Sequence, residues 1–565
     1  MITRFFRGIG GAVERPLTRE GVAAGRRGFI ILQVDGLSYF VLRMALKQRL
    51  MPFLGRLIRR KGWTVNKIPA GLPATTPAIQ LSMLYGRNDC VPGFRWFDRA
   101  SQRFMIMKGV DDCFAIEQRA SKGRRGILEG GASYATLFSG GAAKTAFTAS
   151  RMTAERSEFH FAPFQILALL ALNLGALFRI AGLSFVELWL ELSDTVKVWR
   201  RGGLRRKALA FALVRIVSNV VLRELSTAMA VIDVYRGVPS IYVNYFGYDE
   251  LSHHRGPHKL MTRLLLRGID AQFRKVVNAA RRAWPKGGYD VYVMSDHGQV
   301  PTIPFDYVYG QSFADFLSQR LLRMRVGSLA ADENERRAGR TLSFINYLNS
   351  LQPVLPRWAA VFATWLARRL EHGLAPEVPA TSAGELGGIY VLPTSDLAHI
   401  YFNDRPVRHT VEELEAEHPG AIASIVSHPG ILLAAGLSSA GVVVFTREGT
   451  AVVDPETAAL LSGPDPLGGI DAPPGLLRSL ADLVQMADAG DLVVFARRKD
   501  MRVVDFQEEL GGHGGPYPEE QGAFIVVPPD VQSSPARAGF DFGAANGPRD
   551  LYRLFSTYLG KETDS

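Results

Sequence analysis

The stretch Tyr289 to Gly298, YDVYVMSDHG, decides how the chain is read. Val291, Tyr292, Val293 and Met294 form a short apolar run rich in β-formers, bounded by Gly287-Gly288 and Gly298, and this predicts a buried strand. Asp296 and His297 sit just past its end. In open α/β sheets ligands gather outside the carboxyl ends of the strands, so an acid and an imidazole placed there can point into a site. An ordinary turn can carry the same pair, so the reading depends on partners elsewhere.

Those partners recur along the chain. Phe29 to Val34, FIILQV, reads as a second buried strand, delivering Asp35 and Gly36 to the end of a sheet. A helix is predicted from Tyr39 to Arg60 after it. Pro73-Ala74-Thr75-Thr76-Pro77 precedes the run AIQLSMLYG. Proline favours the first helical position and threonine the N-cap, so Thr76 is predicted at the N-terminus of a helix closed by Gly86. Capping alone accounts for a Thr-Pro pair. The functional reading is that a hydroxyl beside free backbone N–H groups is placed to attack phosphorus.

After the strand-like run Ile241 to Tyr245 comes FGYDELSHHRGPH. Asp249 and His253 are four apart, which puts them on one face of a helix or on one short loop. That spacing suits two ligands of one metal, whereas His254 and His258 read as supporting or surface groups. Finally Gly511-Gly512-His513-Gly514-Gly515-Pro516 presents one imidazole in a glycine-rich turn before the strand AFIVVP, where the backbone can crowd a site.

Composition bounds the rest. A chain of 565 residues, 47% hydrophobic, is long enough for a sizeable core and for two or more domains, or one large domain with insertions. A net charge of +12 suits anionic partners. No zinc-finger, homeodomain or RNP-type signature accompanies it, so no nucleic-acid partner is predicted and a membrane surface is preferred. The N-terminal residues 1–28 are basic and Gly-rich, without the apolar core of a secretory signal. Cys90 and Cys113 leave room for one disulfide at most.

The region 161–232 has a different texture. Phe164 to Phe178, FQILALLALNLGALF, is almost wholly apolar, Ala208 to Leu222 is a second apolar segment, and KVWRRGGLRRK lies between them. The first run is shorter than the ~20 residues that span a bilayer. We read the region as a membrane-associated insert resting its arginines on headgroups, with a helical cap on the core as the competing reading. For a true hairpin the basic loop prefers the cytoplasmic side and leaves the catalytic part outside. An interfacial position on the cytoplasmic face is the alternative.

Together the motifs supply Asp35, Thr76, Asp249, His253, Asp296, His297 and His513, oxygen and nitrogen donors without thiolates. Such a set suits Zn²⁺, with Mn²⁺ as the alternative. The chain resembles the alkaline phosphatase superfamily, nearest its type I phosphodiesterase/nucleotide pyrophosphatase branch. VDG at Val34 to Gly36, PATTPAIQLSMLYG, DELSHHRGP, SDHG and GGHGG carry the likeness, in the family's order. The texture between them is similar to membrane-associated bacterial forms. The resemblance implies two divalent metals, one on Asp249, His253 and His513 and the other on Asp35, Asp296 and His297. It also implies a phosphothreonine intermediate on Thr76, which touches the second metal, with Thr75 as the lesser candidate. Nucleotide pyrophosphatases of the family place Asn three residues after the nucleophile, where this chain has Ile79, and that puts nucleotide specificity in question, although relatives with hydrophobic residues in this helix exist. No Cys-x-Pro-x-Arg motif is present, which disfavours a sulfatase.

The expected architecture is an α/β core with a mostly parallel sheet flanked by helices and a helical hydrophobic insert. Its parts are a basic arm (1–28), the first part of the core (29–153), the insert (154–235), the metal-site strands (236–310), a helical insert and linker (311–388) and the C-terminal core with the last ligand (389–565). The expected activity is metal-dependent hydrolysis of a phosphate ester, a diester or a monoester, near a membrane. Two alternatives stand: an inactive membrane-anchored scaffold of the same fold, and a phosphoryl or phosphoethanolamine transferase. The sequence leaves the oligomeric state open.

Overall fold

Strand Gly28–Val34 is buried on both faces, with Ile30, Leu32 and Val34 in one apolar layer and Phe29 and Ile31 in the other. Such a strand must lie inside a sheet covered twice. In the computed structural model it is the middle strand of seven, ordered Thr64–Pro69, Gly522–Val527, Tyr289–Met294, Gly28–Val34, Ser240–Tyr245, Ala132–Tyr134, Lys144–Ala146. The last five are parallel, and Gly522–Val527 runs antiparallel to both its neighbours. Helices Tyr39–Lys47, Pro52–Lys61, Arg223–Arg236 and Leu260–Ala283 cover one face. Thr76–Tyr85, Val110–Ala120 and Pro548–Ser556 cover the other. The structure describes residues 27–152 without 108, 222–319 without 286, 388–532 without 404–406 and 540–559, together with positions 22, 326–328, 361 and 364.

Parallel pairing fixes where the chemistry gathers. Gln33 lies beside Met294 and Val34 beside Tyr245, so three strands end at one edge. The residues that follow them are Asp35, the helix Gly247–Arg255, and the pair Asp296 and His297.

The C-terminal part, expected to continue the α/β core, forms a second sheet of eight strands from Val326–Ser328 to Leu460–Ser462. Apart from the parallel pair Val326–Ser328 and Ile389–Thr394, it is antiparallel. A four-stranded sheet of Arg498–Lys499, Arg502–Asp505, Val300–Pro304 and Gly511–Gly512 brings this part to the site. Its strand Val300–Pro304 starts just after His297, and Gly511 pairs with Pro301 and Gly512 with Val300.

Several expectations are corrected. The helix foreseen from Tyr39 to Arg60 is two, because Arg49 takes a positive φ of 54° and Pro52 starts a new helix. The Gly-rich stretch after Val91 holds the hairpin Arg95–Asp98 with Arg103–Ile106 and the helix Val110–Ala120. That helix turns Val110, Cys113, Ile116 and Ala120 inward and carries Asp111 and Asp112 at its positive end. The helical insert and linker expected over 311–388 opens with the short helix Phe313–Leu317, which follows Phe305–Tyr309. Both cysteines are free thiols. Of the hydrophobic insert, 161–221 lies outside the described residues, as does most of the helical insert and linker expected over 311–388. Among the described residues no helix is long and apolar enough to cross a membrane.

Candidate metal centre and its hydroxyl

All seven residues singled out in the sequence meet at the carboxyl edge of the parallel strands. Asp35, Asp296 and His297 form one group and Asp249, His253 and His513 another, the ligand atoms of each lying within 4.8 Å of one another. The groups touch through stacked imidazoles, with the ring centres of His297 and His513 3.9 Å apart. Thr76 Oγ1 lies 3.1 Å from Asp35 Oδ1 and 3.0 Å from His297 Nε2. Thr76 is the first residue of its helix and Thr75 the N-cap, one position earlier than foreseen, while Gly86 closes the helix in the left-handed conformation as predicted. Thr75 Oγ1 is buried without a hydrogen-bond partner. His254 and His258 belong to neither group.

The glycines explain the motifs. A Cβ on Gly36, whose φ is +69°, would fall 2.4 Å from Asp249 Oδ1. One on Gly298 would fall 1.9 Å from the Glu519 carbonyl oxygen, and one on Gly512 1.9 Å from Ser395 Oγ. Each is closer than atoms can approach, so the backbone is packed against the next segment of the site. Residues 511–512 thus hold His513 against the rest.

Supporting contacts orient the donors. Asn244 Nδ2 donates to Asp35 Oδ2 at 2.8 Å, and the Gly36 and His297 amides donate to Asp296 Oδ1 at 3.2 and 3.0 Å. Gln299 Nε2 donates to Asp249 Oδ1 and, at 3.2 Å, to the Asp249 carbonyl. Every imidazole turns Nδ1 toward a carbonyl: His297 to Gly298 at 3.1 Å, His253 to Gly511 at 2.8 Å and His513 to Ala74 at 2.8 Å. With Nδ1 carrying the proton, each Nε2 is left with its lone pair facing the site. Sequence reasoning missed Asn244, Gln299 and Glu509. Their one sequence signal is nearness to motif residues, since Asn244 is the last but one residue of a strand and Gln299 follows SDHG.

Electrostatics describe a crowded anionic centre. Burial, and then the charges of Asp296 and Asp249, push the Asp35 carboxyl well above the usual range. Burial, followed by Asp249, lifts Asp296 to about 7. Burial would raise Asp249 too, but His253 and His513 outweigh it and hold the carboxyl down. Burial lowers His253, yet Glu509 and Asp249 overcome it and bring the imidazole to about 10. His513, buried and beside His297, falls to about 3. Asp296 Oδ2 is buried with no hydrogen-bond partner. Crowded acids and an orphaned carboxylate oxygen in one group, and an ionised acid with two Nε2 atoms turned inward in the other, fit a divalent cation in each, which would take the place of the extra proton on His253.

The fold and these donors define a hydrolase class whose site lies at the carboxyl edge of a mostly parallel sheet. The family model described as type I phosphodiesterase/nucleotide pyrophosphatase matches residues 29–341. That is more than half of the chain, which therefore belongs to this family and is a phosphoric ester hydrolase. No curated protein matches. Among solved structures, phosphonoacetate hydrolase from Sinorhizobium meliloti 1021 with phosphonoformate is 13% identical, with a TM-score of 0.45 over 94% of this chain and 95% of that one. Murine ectonucleotide pyrophosphatase/phosphodiesterase 5 is 12% identical, with a TM-score of 0.41 over the same 94% and 95%.

Proposed function

We propose that the chain hydrolyses a phosphate ester with Thr76 as nucleophile and two divalent cations, Zn²⁺ or Mn²⁺, as cofactors. Asp249, His253 and His513 hold one, and Asp35, Asp296 and His297, with Thr76 beside them, hold the other. The observation that carries this reading is the Thr76 hydroxyl, within 3.1 Å of two members of one group, with the second group reached through the His297–His513 stack.

When bound, the cations supply Lewis acidity, neutralising charge on the phosphoryl, attacking and leaving oxygens and favouring ionisation of a neighbouring hydroxyl. The residues do the rest. Asp35 Oδ1 and His297 Nε2 face the Thr76 hydroxyl and hold it in place, and its proton passes to water as it ionises. Thr76 Oγ1 attacks phosphorus in line, and its new bond to phosphorus forms as the ester oxygen leaves. The ester oxygen takes a proton from solvent; water then attacks phosphorus from the vacated side, the Oγ1–phosphorus bond breaks, one water proton goes to Thr76 Oγ1, and phosphate or its monoester is released. Ile79 packs with Ala70 and Ala74 and offers no polar atom to a phosphoryl oxygen, so selectivity for nucleotides is not built in at this position.

The test is hydrolysis of paired chromogenic phosphomonoester and phosphodiester substrates by the zinc- or manganese-loaded chain. Thr76→Ala and chelation should each remove activity. A Thr76→Ala enzyme within tenfold of wild type would sink the assignment, and the preferred substrate decides between diesterase and monoesterase. We further propose that residues 161–232 bring the enzyme to a membrane, on the strength of their apolar runs and the basic segment between them. Co-sedimentation of the full chain with anionic vesicles, weakened by salt, is the expected result. Equal behaviour with neutral vesicles at all salt concentrations would remove the electrostatic part.

A further inference from the structure

The two groups of donors are unequal in charge. Asp35 and Asp296 give one group two carboxylates, whereas Asp249 is the sole carboxylate of the other. Behind that poorer group stands Glu509, buried, with Oε2 2.9 Å from His253 Nδ1. The same Nδ1 faces the Gly511 carbonyl at 2.8 Å, while Nε2 on the far side lies 3.2 Å from Asp249 Oδ2. His297 and His513 have carbonyl oxygens, from Gly298 and Ala74, in the corresponding place.

We propose that Glu509 is a positioning residue that sets the cation affinity of the Asp249, His253 and His513 group. This rests on the reading that the group binds a divalent cation. A carboxylate accepting from the outer nitrogen of a ligating imidazole fixes the tautomer and makes the inner nitrogen a stronger donor. Glu509 supplies this to one imidazole of three. With it, each group commands two carboxylates, one of them acting through His253. The backbone does not need the side chain for its place, because Thr302 Oγ1 donates to the Glu509 carbonyl at 2.7 Å and the Leu510 amide to the His253 carbonyl at 2.9 Å. Loss of the carboxylate therefore leaves the segment seated.

The experiment is a zinc titration of the metal-free full chain against a competing chromophoric chelator, for wild type, Glu509→Gln and Glu509→Ala. The melting temperature of each metal-free protein is measured alongside. Wild type should bind two equivalents. Glu509→Gln, which keeps an acceptor but loses the charge, should weaken one equivalent about tenfold, and Glu509→Ala about a hundredfold. The other equivalent should stay unchanged, and the metal-free melting temperatures should agree. Wild-type affinity at both sites in both variants, or equal weakening of the two, overturns the role of Glu509. A wild-type chain that binds no zinc overturns the metal reading itself. Should Glu509→Ala fail to fold, the glutamine variant alone decides.

Discussion

The two groups of donors are built by different means, and the difference shows in their burial. Asp35, Asp296 and His297 stand directly on the ends of neighbouring parallel strands and are all buried. Asp249 and His253 stand on one turn of a helix and are part-exposed, and His513 arrives on a glycine pair held by a small separate sheet. The first group inherits its geometry from the core. The second is assembled from a helix and a distant segment, so its geometry depends on packing between pieces and should yield first when that packing is disturbed.

The largest effect should come from Thr76, which serves the deep group. Thr76→Ala is expected to lower kcat by about 10⁴-fold or more, as loss of a nucleophile does, while zinc binding to the second group persists. A test of the second group's dependence on packing is Gly512→Ala. The added Cβ meets Ser395 Oγ at 1.9 Å and Asp505 Oδ2 at 2.9 Å, an overpacking cost of about 1–3 kcal/mol. It should weaken one zinc equivalent and spare the other; weakening of both would erase the contrast.

A pH-dependent effect follows. Under the His513 loop the Gly515 amide donates to Glu520 Oε2 at 2.7 Å, and Asp396 lies against the same glycine. Burial, and then the charge of its partner Asp396, raises Glu520, and burial lifts Asp396 to about 7. A carboxyl raised on folding stabilises most below its unfolded value, near 4, and loses that contribution as pH climbs through about 7. Asp396→Asn, fixed in the neutral form, should therefore gain in melting temperature over wild type as pH rises from about 4 to 7. A constant difference across that range would count against it. The smallest effect is expected from Gln299→Ala, which frees one oxygen of Asp249; chelator competition should show a loss of about tenfold, confined to the second group.

The sequence made the deep group legible because an apolar run followed by an acid is a local signal, and Asp35 is read from Phe29 to Val34 and Asp296 from Val291 to Met294. Asp249 and His253 were legible for a similar reason, since a spacing of four has meaning on a helix and the helix Gly247–Arg255 supplies it. His513 was marked by its glycines, whose purpose appears only with Ser395 and Ser252 packed against them. Glu509 was not legible, because its partner lies 256 positions away and the pairing is made by tertiary packing. The second sheet was hidden in the same way. Its strands, such as Gly441–Phe445 and Leu492–Ala496, are runs of β-formers, but nothing local says that they pair within one sheet rather than extend the parallel one. The helix Val110–Ala120 was masked by the glycines around it, although its apolar positions keep helical spacing.

The clip between the Thr76 loop and the His513 loop has a consequence for folding. His513 Nδ1 reaches the Ala74 carbonyl across 439 positions, and the Ala74 amide reaches back to the Gly514 carbonyl at 3.2 Å. Closure of the centre therefore waits on a contact between segments far apart in sequence, and loosening either loop should unseat the other.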